Sequence, residues 1–335
     1  MFARKRKSGD GHGDRAPKDR SGDAAIGPAL MARVKAIRIR THRLVSSALA
    51  GGYKSSFKGA GIEFEEVRAY QIGDDVRSID WKVTARKGTP QVKTFREDRQ
   101  LTLQLLVDTG RSHDFGTRRV TKRELAAEFV ALISYVALAT RDRVGLTLFG
   151  NVTGLHLASG RTSSHINRLI REVIAAEPTL GPSDFAHILE ERVRDRSRHS
   201  LMFLISDFQG LLSATDEERE RVRSLLVILG ARHDVIAVPL EDPFESELPS
   251  AGLLELDDPV SGKRTLLDSS SKRVREEWAG VAKERRAMLD KLLQRCRIGV
   301  IRQSTDGDIA QPIVRFFEGR ARGQSTASFL GRRSK

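Results

Sequence analysis

Two aspartates, each directly after an apolar run, are the residues of this sequence best placed to do chemistry. Asp108 follows the run at 101–107, and Asp207 follows the run at 201–206. Such runs, with little polar alternation, are typical of strands that are covered on both faces. In an open parallel sheet, ligands bind beyond the carboxyl ends of the strands. We therefore expect both carboxylates at one ligand-binding edge.

Serine hydroxyls accompany these aspartates. Ser112 stands four residues after Asp108, in the pattern D-x-G-x-S, and Ser183 comes at the start of a predicted helix between the two aspartates. A hard cation such as Mg²⁺ takes oxygen ligands, often few from the protein and the rest from water. Asp108, Ser112, Ser183 and Asp207 could supply that set. The structural alternative is that these residues cap helices or form turns, and Ser183 is well suited to be an N-cap.

Strands alternate with helices around these residues. We predict strands at 101–107, 144–149, 152–157, 201–206, 235–239 and 298–302, and helices at 122–140, 163–176, 184–196, 217–229 and 272–295. This alternation predicts an α/β fold with an open, mostly parallel sheet flanked by helices. A helix at 29–49 and short strands at 62–65, 79–81 and 91–95 come first, which predicts a small N-terminal β-rich module.

Composition divides the chain into four predicted segments. They are a disordered basic tail (1–28), an N-terminal helix with the β-rich module (29–100), the α/β domain (101–317) and a flexible basic tail (318–335). The net charge is +14, of which the tails carry +3 and +4. Outside the tails, basic residues are interspersed with acidic ones, so no specific nucleic-acid interface is expected. The tails leave weak binding to anionic membranes open.

Several classes of protein are excluded or disfavoured by what the sequence lacks. A single cysteine, Cys296, rules out an internal disulfide framework and a multi-cysteine metal site. The sequence contains no G-x-x-x-x-G-K-[ST], G-x-S-x-G or H-E-x-x-H motif. No apolar region follows the basic N-terminal residues, so we expect no secretory signal and a cytoplasmic location. His113 and His187 are expected to be a loop residue and a helix-surface residue.

The segment before the first aspartate carries a long ordered pattern. Residues 58–88 read KGAGIEFEEVRAYQIGDDVRSIDWKVTARKG, followed by VK at 92–93 and FRE at 95–97. This pattern resembles the signature of the bacterial "domain of unknown function 58" family, and the resemblance covers 57–116 closely. It implies a von Willebrand factor A-like (Rossmann-type) fold. It also implies partnership with a MoxR-type AAA+ ATPase in chaperone-like maturation or regulation.

The resemblance also implies a metal-ion-dependent adhesion site, which has the pattern D-x-S-x-S followed by a distant Thr and then Asp. Asp108 and Ser112 match the first and last positions of the opening motif, whereas Gly110 replaces the middle serine. Ser183 can stand for the threonine, and Asp207 matches the distal aspartate. The implied site is degraded but not abolished, because water can occupy the empty position, and Mg²⁺ is its candidate cofactor.

Within the signature, acidic residues stand among basic ones. We interpret this as a structural network of charge-assisted hydrogen bonds that joins the module to the α/β domain, with Tyr70 and Trp81 as packing anchors. Its predicted members are Glu63, Glu65, Arg68, Tyr70, Gly73, Asp74, Asp75, Arg77, Asp80, Trp81 and Arg86. The alternative is a metal-dependent nuclease, since Asp80, Lys82 and nearby glutamates loosely resemble a carboxylate–lysine phosphodiester site. Their order and spacing fit that chemistry poorly.

The sequence as a whole favours a non-enzymatic scaffold that binds a MoxR-type ATPase or its client protein, with dependence on Mg²⁺. Two other functions stay open. One is a metal-dependent nuclease or nucleic-acid-binding protein. The other is an adaptor that binds anionic membranes through its basic tails.

Overall fold

The computed structural model describes residues 28–44, 47–56, 63–72, 74–76, 79–96, 100–179, 181–195, 198–257 and 264–321. The strands are β1 (Glu63–Ala69), β2 (Gln91–Arg96), β3 (Thr102–Asp108), β4 (Arg143–Phe149), β5 (Thr153–Gly160), β6 (Leu201–Ser206), β7 (Asp234–Glu241), β8 (Leu253–Asp257), β9 (Arg264–Asp268), β10 (Gly299–Val300) and β11 (Gln303–Ser304). The helices are α1 (Pro28–Leu44), α2 (Ser47–Ser56), α3 (Trp81–Lys87), α4 (Lys122–Ala139), α5 (Ser163–Ala175), α6 (Phe185–Arg194), α7 (Gln209–Leu212), α8 (Asp216–Arg232), α9 (Pro243–Ser246), α10 (Lys272–Arg295) and α11 (Ala310–Ala321).

The central sheet has the strand order β10-β7-β6-β3-β4-β5, and β11 also pairs with β7. All of these pairs are parallel except that of β4 with β5, which is antiparallel at one edge. When the strands of this sheet are numbered in chain order, their arrangement across the sheet is that of a doubly wound α/β fold. The direction in which the strands follow one another reverses between β3 and β6. The predicted α/β, von Willebrand factor A-like fold class is confirmed.

Two hydrophobic clusters cover the two faces of the sheet. Along β6, Leu201, Phe203 and Ile205 join the cluster that includes α4 and α5, whereas Met202 and Leu204 join the one beneath α6 and α8. Successive side chains of a strand point to opposite faces, so a run buried throughout needs a layer of helices on each side. This explains why the sequence shows apolar runs here rather than alternation.

Helix α4 is the central element of the first layer. Thr121 and Glu124 form a reciprocal capping box at its start, and most of its residues are buried. Phe129 packs edge-to-face on Phe203 of β6, with ring centroids 5.6 Å apart. The helix therefore has a fixed position on the sheet, and its first residue, Lys122, lies at the carboxyl edge of the strands.

The N-terminal helices belong to this same layer. Val34, Ile37, Leu49 and Tyr53 of α1 and α2 are buried in the cluster that contains α4. The Tyr53 ring also packs edge-to-face on Phe317 of α11, with centroids 5.5 Å apart. This corrects the predicted grouping of the N-terminal helix with the β-rich module. Phe317 is fully buried and α11 continues to Ala321, so the predicted flexible tail at 318–335 begins too early.

The signature segment forms an antiparallel pair, β1 with β2, and the helix α3 between them. The predicted strand at 79–81 is wrong beyond Ile79, because Trp81 begins a helix whose N-cap is Asp80. The Asp80 carboxylate accepts hydrogen bonds from the amides of Lys82 and Val83 at 2.9 and 3.2 Å. Trp81 is 67% exposed, which corrects its predicted role as a packing anchor.

Within the described residues, the predicted charge network includes the pair Arg68 and Asp74. The two terminal guanidinium nitrogens of Arg68 donate to the two carboxylate oxygens of Asp74 at 2.7 Å, and the amide of Gln71 donates to the same carboxylate. These bonds hold the pKa of Asp74 below its ordinary value. Tyr70 is half-buried, and Asp75 and Arg86 are exposed.

Some predictions lie outside the described residues: Gly73, Arg77, the tail at 1–27, residues 322–335, and the side chains of Glu63 and Glu65. None of the helices in the described part of the chain is both long and apolar enough to cross a membrane.

Candidate metal centre

The carboxyl edge of the sheet brings the predicted site residues together. Asp108 and Ser206 end the neighbouring parallel strands β3 and β6, and Asp207 comes next in the chain. A short 3-10 helix, Arg111–Asp114, follows β3 and carries Ser112. Asp108, Ser112, Ser183 and Asp207 all line one cleft at this edge.

Asp108 is the centre of the hydrogen bonds in this cleft. One carboxylate oxygen accepts from the Gly110 amide at 2.8 Å and from the Ser183 hydroxyl at 2.6 Å. The other accepts from the Ser206 hydroxyl, also at 2.6 Å. The residue is only 4% exposed, so these bonds both fix the orientation of the carboxylate and satisfy its oxygens. Ser206 is a member of the site that the sequence pattern does not indicate.

Ser183 serves the site rather than capping the helix that follows it. The N-cap of α6 is Asp184, whose carboxylate accepts from the His187 amide at 2.9 Å. The amide of Asp184 donates to the Gly150 carbonyl at 2.7 Å, which ties this loop to the end of β4. The interpretation of Ser183 as an N-cap is therefore wrong, and its hydroxyl is directed to Asp108.

A buried lysine, which is not among the predicted site residues, lies beside Asp207. Lys122 is fully buried at the start of α4, and its ammonium donates to Asp207 Oδ2 at 2.9 Å and to Glu245 of α9. The side-chain amide of Gln209 donates to the same glutamate at 2.7 Å. A buried charge is tolerated only when it is paired, so this ion triad joins α4, α9 and the end of β6.

The triad favours the charged forms of Asp207 and Lys122, whereas burial raises the pKa of Glu245 above its ordinary value. Burial acts to raise the pKa of Asp207, but the Lys122 ammonium and a hydrogen bond from Ser112 hold the pKa of this carboxyl well below its usual range. Burial acts to lower the pKa of Lys122, yet the two carboxylates beside it raise that pKa above its ordinary value. The site therefore presents an ionised Asp207 carboxylate with the buried Lys122 ammonium beside it, and Arg111 adds a second cation to the lining of the cleft.

His113 is a buried neighbour of both aspartates rather than a loop residue on the surface. Its Nε2 accepts from the Asp207 amide at 3.3 Å, which leaves Nδ1 to donate to the Gly110 carbonyl at 3.2 Å. These two bonds assign a neutral imidazole. One ring nitrogen and one oxygen each from Asp108 and Asp207 lie within 4.8 Å of one another, but both ring nitrogens are engaged in these bonds, so His113 positions the site and does not ligate a metal.

The cleft has the size and the donors that a small hard cation needs. Its volume is about 10 Å³, room for about one water-sized sphere. Two carboxylates and two hydroxyls line it, the ligand types that Mg²⁺ takes in proteins. Lys122 competes for one oxygen of Asp207. The residues therefore fit a divalent cation held chiefly through Asp108, Ser112 and Ser183.

Gly110 leaves space among these donors. A Cβ atom at this position would lie 3.0 Å from the Ser183 hydroxyl oxygen and 3.2 Å from one oxygen of Asp108. A side chain here would thus extend directly into the donor set. The glycine keeps that space open for water, in agreement with the reading of a site that lacks one side-chain ligand.

The Gly110→Ser variant is expected to bind Mn²⁺ about tenfold more tightly than the unmodified protein, a gain of about 1.4 kcal/mol from one added oxygen ligand. The Gly110→Ala variant is the matched control, since it fills the same space without a ligand and should weaken binding. Isothermal titration with Mn²⁺ measures both. A change in the same direction for serine and alanine would mean that only the volume at position 110 matters.

Comparison with known proteins identifies the family. A family model described as "Protein of unknown function DUF58" matches residues 66–288, two thirds of the chain. The chain belongs to this family. The DUF58 match extends from within β1 into α10, so it includes all four residues of the candidate metal centre.

Relatives of this DUF58 protein occur in mycobacteria. Uncharacterized proteins of Mycobacterium bovis and Mycobacterium tuberculosis are each 32% identical to it over 301 residues, which is 88% of this chain and 91% of the relative. An uncharacterized protein of Mycobacterium avium is 27% identical over 168 residues, which is 49% of this chain and 93% of the relative.

Solved structures similar to the DUF58 protein include the conserved hypothetical protein BatB from Bacteroides thetaiotaomicron (13% identity, TM-score 0.36, covering 66% of this chain and 99% of BatB). Another is the SpRpn10 VWA domain (12% identity, TM-score 0.36, covering 64% and 94%). A von Willebrand factor type A protein from Catenulispora acidiphila has 10% identity and a TM-score of 0.35, covering 70% and 44%. The strand order described above, not these scores, establishes the fold.

Like Ser206, Lys122 and Glu245 are not predicted from the sequence, because their partners are distant in the chain. One signal was available. Cations are unfavourable at a helix N-terminus, where the helix dipole is positive, yet Lys122 follows the capping residue Thr121 directly. A lysine in that position indicates a specific acidic partner.

Proposed function

We propose that this DUF58 protein is a non-enzymatic interaction module that binds a partner protein through its candidate metal centre. The observation that carries the proposal is that Asp108, Ser112, Ser183 and Asp207 line one small cleft at the carboxyl edge of the sheet. Mg²⁺ would be held there by these oxygen atoms. A carboxylate of the partner would supply a further ligand to the metal. The affinity for the partner would therefore depend on the bound metal.

The size of the cleft supports binding rather than catalysis. Pockets that take small-molecule ligands measure about 300–1,000 Å³, far more than this cleft of about 10 Å³. Asp80, the residue on which the nuclease alternative depends, uses its carboxylate to cap α3. A surface that presents one cation to a protruding acidic side chain needs no larger cavity.

A MoxR-type AAA+ ATPase, or the client protein of such an ATPase, is the partner that we propose, in the cytoplasm. The family resemblance of 57–116 supports this choice. The function of the complex would be chaperone-like maturation or regulation. This chain would provide the binding surface, and the ATPase would provide the energy of ATP hydrolysis.

A pull-down with the purified ATPase tests the proposal. Removal of divalent cations with EDTA, or the Asp108→Asn variant, is expected to weaken binding at least about tenfold, the loss of roughly 1.4 kcal/mol or more of binding free energy. Asp216→Asn, at a fully exposed position on α8, is the control and should bind normally. Binding that resists both EDTA and Asp108→Asn would contradict metal-dependent recognition. Metal-dependent cleavage of nucleic acid by the purified chain would contradict the non-enzymatic assignment.

A further inference from the structure

A second cleft lies between α1 and α5, far larger than the metal centre. Its volume is about 840 Å³, within the range of ligand-binding pockets. Four cationic side chains line it, Lys35 and Arg38 from α1 and Arg168 and Arg171 from α5. Among the described residues that line this cleft there is no Asp or Glu. We refer to it as the α1–α5 cleft.

The charges of this cleft are only partly neutralised by the protein. Arg168 and Arg171 share one carboxylate, that of Glu172, at 3.7 and 3.2 Å. Lys35 and Arg38 form no ion pair with any residue in the described part of the chain. Each helix thus presents two like charges three residues apart, an arrangement that weakens a helix. Because the two helices also pack together, a bound anion would relieve this repulsion.

Hydrogen-bond donors accompany the cations. The hydroxyls of Thr162 and Ser164 and the side chain of Asn167 line the same cleft, whereas Val34 is a buried apolar contributor. Guanidinium groups bind phosphate through paired N–H donors, and hydroxyls bind the remaining phosphate oxygens. Together, three arginines and one lysine provide more positive charge than one phosphate group needs for neutralisation.

We propose that the α1–α5 cleft binds a small ligand that carries two or more phosphate groups, through Lys35, Arg38, Arg168 and Arg171. Free polyphosphate compounds and those phospholipid headgroups that carry two or more phosphates share this chemistry. The cleft is remote from the metal centre, because His165 contacts the carbonyl of Val144 near the start of β4, whereas Asp108 pairs with Phe149 at its end. Ligand binding at the two sites can therefore be measured separately.

Titration of the full chain with tripolyphosphate tests the proposal. The unmodified protein is expected to bind with a Kd well below about 1 mM at roughly 0.1 M salt. The double variant K35Q/R168Q should raise the Kd at least about tenfold. The control K283Q/R285Q removes two exposed charges of α10 and should stay within about twofold, since those side chains form no ion pair among the described residues. All four positions are exposed, so both variants are expected to fold.

Vesicles that contain cardiolipin, a lipid whose headgroup carries two phosphates, distinguish the sources of the phosphate. Flotation that tripolyphosphate abolishes, and that K35Q/R168Q loses, would identify a lipid headgroup. Tripolyphosphate binding without flotation would identify a soluble ligand. The proposal is overturned if tripolyphosphate fails to bind at about 1 mM, or if the control loses as much affinity as K35Q/R168Q, which would indicate unspecific attraction by the positive chain.

Discussion

The Lys122→Met variant is expected to lose about 3 kcal/mol of the free energy of unfolding, because it leaves the buried carboxylate of Asp207 and the partly exposed one of Glu245 without their cation. Lys122 is fully buried and is hydrogen-bonded to both Asp207 and Glu245. Methionine keeps the length and the apolar contacts of the side chain. The loss of unfolding free energy therefore comes from the missing charge and not from a cavity. Equilibrium unfolding in urea measures it.

A second substitution shows whether the carboxylate is the cause. Lys122→Met combined with Asp207→Asn should recover part of the lost stability, since a neutral amide needs no counter-ion. Mg²⁺ should also stabilise Lys122→Met more than the unmodified protein, because Asp207 Oδ2 becomes available as a ligand. A loss below about 1 kcal/mol for the single variant would mean that Asp207 and Glu245 do not depend on the ammonium.

The Asp242→Asn variant is expected to lose about 2–3 kcal/mol, even though the two side chains have the same shape. Asp242 is 2% exposed, and each of its oxygens accepts a backbone amide: Oδ1 from Phe244 and Oδ2 from Thr117, both at 2.9 Å. Whichever way an asparagine amide turns, its NH₂ group faces an N–H donor. The hydroxyls of Thr117 and Thr305 also donate to this carboxylate.

The effect of Asp242 should depend on pH in a defined direction. Burial acts to raise the pKa of Asp242, but the hydrogen bonds from Thr117 and Thr305 hold it below its ordinary value. The stability from this carboxylate is therefore fully present above the unfolded pKa of about 3.9 and is lost as the pH falls through the lower pKa of the folded state. The advantage of the unmodified protein over Asp242→Asn should be constant between about pH 5 and 8 and shrink below about pH 4. An advantage that grows on acidification would contradict this assignment.

The sequence predicts the sheet well because burial on both faces leaves continuous apolar runs. The runs that became β3 and β6 also place Asp108 and Asp207, since parallel neighbours end at the same edge. The segment around Asp80 and Trp81 is harder, because a helix of seven residues carries little periodicity and its N-cap is the main signal. The β-like composition there favours a strand.

Contacts between distant parts of the chain could not be predicted. Lys122 is 85 residues from Asp207 and 123 from Glu245 in sequence, and no local pattern joins them. In the same way, the apolar face of α1 and α2 indicates that these helices are covered but not which surface covers them. Tertiary packing decides that, and it placed Tyr53 against Phe317 of α11.

Direct titration of the protein with Mn²⁺, followed by electron paramagnetic resonance, tests the central claim that the carboxyl edge of the sheet is a cation site. In Asp108→Asn, one amide oxygen can still accept from Gly110 and Ser183 while the NH₂ group donates to Ser206, so the variant removes charge with little change of shape. We predict about one bound ion per chain, lost in Asp108→Asn and retained in Asp216→Asn. Absence of binding by the unmodified protein, or equal binding by Asp108→Asn, would contradict the claim.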